Sequence, residues 1–119
     1  MNKSEAIYQF WNSFGVEAYD ENSVPDDAPF PYITYAEVDG EMFVETASIW
    51  DKSKSWKRVT AIRDMIAKKL GEYDSYLVRF DGGYYMLYQG TPFSQRMDDE
   101  DQTIKRLVLN VGGQRLARY

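Results

Sequence analysis

The chain has 119 residues, 44% of them apolar and 28% charged, with a net charge of −5; this is the size of one domain, able to bury a core without disulfides or metals, and too apolar to be wholly disordered. Cysteine and histidine are both absent, which removes thiol nucleophiles, zinc–thiolate sites, the usual general base near neutral pH and the commonest metal ligand. The acidic balance argues against nucleic acid as the main partner, because phosphate binding needs a cationic surface, and no apolar run approaches the length that spans a bilayer.

The first residues, MNKSE, lead into a polar-interrupted pattern rather than the apolar centre of a signal peptide. Ile7, Phe10, Trp11 and Phe14 stand at i, i+3, i+4 and i+7, which predicts an amphipathic helix. Asn2 is placed to cap it with Glu5 as reciprocal partner, and Gly15 to end it. Residues 16–31 contain Pro25, Pro29 and Pro31 and read as a connection or an extended edge segment. A hairpin is expected next, with residues 32–38 and 41–49 flanking an Asp39-Gly40 turn. In that register Tyr35 faces Val44; Ile33, Tyr35, Met42 and Val44 face the core, while Tyr32, Thr34, Val38, Phe43 and Glu45 form a half-polar second face.

A second helix is predicted over residues 55–70, with Val59, Ile62, Ile66 and Leu70 on its stripe, Trp56 and Met65 widening it, and Ser53 or Ser55 as cap. Lys68 and Lys69 suit its last turn and Gly71 its stop. Strands over 76–80 and 84–88 flank the Asp81-Gly82-Gly83 turn. Residues 90–102 read as a long loop, because Gly90 and Pro92 break the strand and Asp98 to Asp101 repel one another. A last strand over 104–111 ends at Gly112-Gly113, and the tail from Gln114 is expected to be disordered or to add to a neighbour. The order α-β-β-α-β-β-β predicts an α+β fold, with two helices on one face of a mainly antiparallel sheet of about five strands.

Little here carries chemistry. No nucleophile elbow, phosphate-binding loop or dinucleotide fingerprint occurs. The acidic run at 98–101 lacks the alternating ligands and central glycine of a calcium loop. Ten Tyr, six Phe and three Trp suit a core and an interface alike.

Four passages carry a family resemblance: FGVEAYDENSVPDDAPFPYITY (14–35), ASIWDKSKSW (47–56), GTPFSQRMDDED (90–101) and IKRLVLNV (104–111). The chain resembles, over nearly its whole length, the tail-terminator (tail-completion) proteins of long-tailed bacteriophages and prophages; residues 24–35 are the most specific part. The resemblance implies one domain over 1–119 that assembles into a ring, typically a hexamer. Such a ring caps the head-proximal end of the tail tube, stops its growth and meets the head connector or head-closure protein. It implies a place in the virion neck, reached from the host cytoplasm, with no catalytic residue, cofactor, metal or membrane. Other neck proteins, such as head-closure or adaptor subunits, remain as the alternative, with a small prophage enzyme or inhibitor behind them. A ring subunit needs two different surfaces that meet head to tail. The candidate interface residues are Tyr32, Val38, Phe43 and Trp50 of the hairpin with Phe93, Arg96 and Met97 of the 90–102 segment.

Overall fold

A computed structural model describes residues 1–37 and 39–117. Helix α1 (Lys3–Trp11) starts where its cap predicts: the Asn2 side chain accepts a hydrogen bond from the Glu5 N–H at 2.9 Å. A 3₁₀ turn (Asn12–Phe14) extends it, and Gly15 closes it in the left-handed conformation at φ 84°. The four stripe residues Ile7, Phe10, Trp11 and Phe14 are all buried. Helix α2 (Lys57–Leu70) starts two residues later than predicted, after Ser55 Oγ accepts the Lys57 N–H at 3.1 Å. Val59, Ile62, Ile66 and Leu70 are buried, but Met65 is 47% exposed and lies outside the stripe.

The strands are β1 (Ala18–Asp20), β2 (Tyr32–Tyr35), β3 (Met42–Lys52), β4 (Tyr76–Phe80), β5 (Gly83–Met97) and β6 (Ile104–Ala117). They form one sheet in the order β1-β2-β3-β6-β5-β4. Five are antiparallel neighbours; β1 joins β2 in parallel at the edge, in the segment expected to be extended, and makes the sheet mixed and six-stranded. Both helices lie on one side, α1 against β4 and β1, α2 against β3, β5 and β6. At the end of β3, the fully buried Asp51 accepts two hydrogen bonds from Arg58 of α2, at 2.9 Å to Nε and 2.6 Å to Nη2. This bidentate pair sets how α2 docks.

Three expectations are corrected. The Asp39-Gly40 turn is not a two-residue hairpin loop: Tyr35 pairs with Ala47 rather than Val44, a slip of 47 − 44 = 3 residues. An odd slip exchanges the faces of the strand. Met42 and Val44 therefore point to solvent, 74% and 71% exposed, while Phe43 and Glu45 turn to the helix side. Second, the 90–102 segment is not a loop. Its first part continues β5 to Met97, and the break at Gly90 and Pro92 is absorbed as a register irregularity between Gln89 and Ser94. A Cβ on Gly90 would come within 2.8 Å of the Asn110 carbonyl oxygen, so the close backbone approach there needs glycine. Third, β6 runs through Gly112-Gly113 to Ala117 instead of ending before them.

Those two glycines are beds for aromatic rings. A Cβ would meet the Tyr88 ring 2.2 Å from Gly112 on one face, and the Phe43 ring 2.2 Å from Gly113 on the other. Rings laid over strand glycines recover the packing that glycine lacks. We predict that Gly113→Ala costs about 1–3 kcal/mol by displacing Phe43 from Tyr85 in the core. Gly112→Ala should cost less, because Tyr88 is exposed and can swing outward. Urea unfolding of the two variants checks the ranking; equal losses would refute it.

Candidate protein–protein interface

Strand pairing gathers side chains from distant parts of the chain into rows on the sheet face away from the helices. Tyr32 pairs with Trp50, Trp50 with Arg106 and Arg106 with Met97, which makes one row across β2, β3, β6 and β5. Its contacts fix it in place. The Tyr32 and Trp50 rings stack at 6.4 Å, and the Arg106 guanidinium lies 4.5 Å from the Trp50 ring. Trp50 Nε1 donates to Thr34 Oγ1 at 2.9 Å, and Arg106 Nε donates to Ser48 Oγ at 3.1 Å. Tyr19 and Phe30 extend the row past Tyr32 at 5.8 and 5.1 Å between ring centres.

A second apolar band lies further along the same face. Val44 pairs with Gly112 and Gly112 with Tyr88; Met42 pairs with Gln114, Gln114 with Met86, and Met86 with Leu77. Between the bands runs a mainly polar strip of Thr34, Ser48, Gln95, Thr46 and Asn110, with Val108 within it. The outward positions of the paired strands carry no carboxylate, although the chain has 19 Asp and Glu. Their charges are Lys52, Arg79 and Arg106. Trp, Tyr, Met and Arg are the side chains enriched at protein interfaces, and a contiguous exposed apolar patch marks one.

Of the residues proposed from sequence, Tyr32, Trp50 and Met97 thus share one row. Phe43 lies on the opposite face, edge-on to Tyr85 at 5.4 Å between centres. Phe93 packs half-buried against the core from β5. Arg96 also lies on the helix side, opposite Leu107, with its guanidinium 4.6 Å from the Trp56 ring. Val38 lies outside the described residues. Met42, Val44, Tyr88 and Arg106 were not singled out from sequence; strand alternation would have found them once the odd slip was known.

The carboxylates offer little chemistry. In the turn after β5, Asp99 accepts the Asp101 N–H at 2.9 Å, and Asp101 accepts the Thr103 N–H and hydroxyl at 2.9 and 2.6 Å. The Thr103 hydrogen bonds hold the Asp101 carboxyl below its ordinary pKa. Among the described residues, no three or more acidic side chains converge as a metal cluster. Two surface grooves of about 670 and 540 Å³ are lined mainly by Trp56, Asp98 and Lys105 and by Phe10, Lys69 and Tyr76 respectively. Neither is lined by Glu45, the one carboxyl among the described residues with a strongly raised pKa.

No protein-family model matches the chain, and no curated protein does. Among solved structures, a chain of the virion of a native gene transfer agent particle has the same fold, with a TM-score of 0.69 at 16% identity, covering 96% of this chain and 94% of that one.

Glu45 sits on the helix side of β3, 4% exposed, with Oε1 lacking a hydrogen-bond partner among the described residues. Burial, reinforced by the charge of Glu37, pushes its pKa from 4.5 up to about 8. Between those values the folded chain holds a proton that the unfolded chain releases, so stability falls as pH rises through that window. For this group alone the slope reaches about 1.4 kcal/mol per pH unit. Glu45→Gln keeps the neutral shape and should flatten the slope, leaving the variant more stable than the parent at alkaline pH. Urea melts from about pH 5 to about pH 9 test this; parallel pH profiles for the two proteins would contradict it.

Proposed function

We propose that this chain is a structural subunit of a phage-like virion. In the finer reading it is a tail terminator: a ring, most simply a hexamer, that caps the head-proximal end of the tail tube, ends tube growth and joins the head connector. The observation that carries the reading is the shared fold, over almost the full length of both chains, with a chain of a gene transfer agent virion. The four sequence passages shared in type with tail terminators narrow it from virion protein to terminator. The acid-free outer sheet face gives the subunit a surface suited to another protein. An outer sheet face free of carboxylates, in a chain without His or Cys, suits assembly better than catalysis. On this reading its partners are copies of itself, the tail-tube protein and the connector or head-closure protein. Its place is the virion neck after assembly in the host cytoplasm.

Electron microscopy of the purified protein, alone and mixed with tail tubes, tests the reading. Terminator function predicts rings and tubes blocked at one end. Density only on the connector side would point to a head-closure or adaptor subunit instead. Val44→Asp puts a carboxylate in the middle of the outer apolar band, where the parent side chain is 71% exposed. It should abolish tube capping while lowering folding stability by only about 1 kcal/mol, the span of strand propensities at an exposed position. Capping by the variant at parental efficiency would remove this face from the assembly.

A further inference from the structure

Charge is segregated along the chain. Helix α2 holds Lys57, Arg58, Arg63, Lys68 and Lys69 against Asp64 alone, a net 5 − 1 = +4. Residues 16–31 hold Glu17, Asp20, Glu21, Asp26 and Asp27 and no cation, a net −5. The outward stripe of α2 runs Lys57, Ala61, Asp64, Met65 and Lys68, with every member exposed; Asp64 is ion-paired with Arg63 of the same helix at 2.9 Å, which leaves the two lysines to set the sign of the face. No element of the sheet covers this stripe, because α2 packs through its opposite side on β3, β5 and β6. The acidic segment follows and flanks β1 at the sheet edge, with β2 between it and the strands under α2. Glu17, Glu21, Asp26 and Asp27 are exposed. The ion pairs among the described residues are Met1–Asp81, Lys3–Asp39, Arg58–Asp51 and Arg63–Asp64, so none links the two regions within the chain.

We infer that the exposed face of α2 is one half of a head-to-tail contact between copies of this chain, and that its occupant is the acidic 17–27 strip of the next copy. The inference rests on the ring reading for its closure and goes beyond it in assigning the two surfaces. Two different surfaces of opposite charge on one subunit are what a heterologous contact requires, and such a contact closes into a ring when its rotation allows. Charge complementarity also sets partner choice and register: α2 against α2, or strip against strip, juxtaposes like charges. Ala61 and Met65 supply apolar contact beside the lysines, and Asp64 is already paired with Arg63. The outer sheet face then stays available to the tube or connector.

A charge-swap experiment tests this with the full chain. One variant carries Lys57→Glu and Lys68→Glu; the other carries Glu21→Lys and Asp26→Lys. All four positions are exposed. Association is followed by sedimentation and native mass spectrometry at low salt and at about 0.5 M salt, where exposed charges are largely screened. The parent should associate at low salt and weaken as salt rises. Each variant alone should associate about tenfold more weakly or worse. Mixed in equal amounts, the two variants should recover association, because each now presents the charge that the other needs. Recovery on mixing also shows that both variants are folded. If the parent associates and neither variant changes it, the α2–strip contact is overturned while the ring reading stands. If the variants are weakened but their mixture is not restored, the charges do not meet each other and the contact is likewise overturned. A parent that is monomeric at low salt up to millimolar concentration also overturns it, and leaves the ring reading to the tail-tube experiment.

Discussion

The pairing of β3 with β6 is the constraint on which the rest of the molecule depends. All eleven residues of β3 pair antiparallel with β6, from Met42 with Gln114 to Lys52 with Ile104. These two strands occupy the centre of the sheet, with β2 and β1 attached on one side and β5 and β4 on the other. Their register decides which side chains enter the core and which face outward for every strand hung on them. The same ladder carries Asp51, whose buried carboxylate receives Arg58 and so orients α2. Leaving that carboxylate without its guanidinium would strand a charge in a dry site, a far larger cost than loss of an exposed pair.

The two faces of the sheet solve different problems. The helix side is filled by Ile33, Ile49, Leu107, Leu109, Val111, Tyr85 and Leu87 against the stripes of the two helices. This burial supplies most of the driving force for folding. It is not uniformly apolar: Glu45 is held there neutral, which trades stability at high pH for a group that the core does not otherwise use. The outer side has no second layer. It keeps its aromatic and apolar groups ordered by stacking, by hydrogen bonds from Trp50 and Arg106, and by the Tyr88 ring lying over Gly112. Side chains already fixed in place lose little entropy when a partner arrives, which favours binding.

Charge is distributed with the same economy. Acidic groups are kept off the outer sheet face and gathered at the β1 edge and in the turn after β5, while cations gather on α2. A net charge of −5 favours repulsion between copies of the chain at random orientations, and segregated charge favours approach in particular ones.

Local pattern was enough to determine both helices, including the Asn2 cap, the Gly15 stop and all eight buried stripe residues, because helix periodicity and capping act within a few residues. It also determined the fold class, the absence of His and Cys as chemical groups, and the hairpin turn after Phe80, although Gly83 joins β5 rather than the turn; the segment before β2, which reads as a connection or an extended edge, pairs only over Ala18–Asp20. Only the tertiary structure decided the register of β3, which moved Met42 and Val44 to the surface and Phe43 and Glu45 inward. A turn signal at Asp39-Gly40 states where the chain can reverse, and the long-range ladder with β6 states which residues then pair. The glycines misled for the same reason. Gly90 and Gly112-Gly113 read locally as breaks, but in the sheet they give room to a neighbouring backbone and to the rings of Tyr88 and Phe43. The row of Tyr32, Trp50, Arg106 and Met97 spans four strands, and no spacing along the chain encodes it. It exists because pairing, a property of the folded sheet alone, brings those four positions side by side.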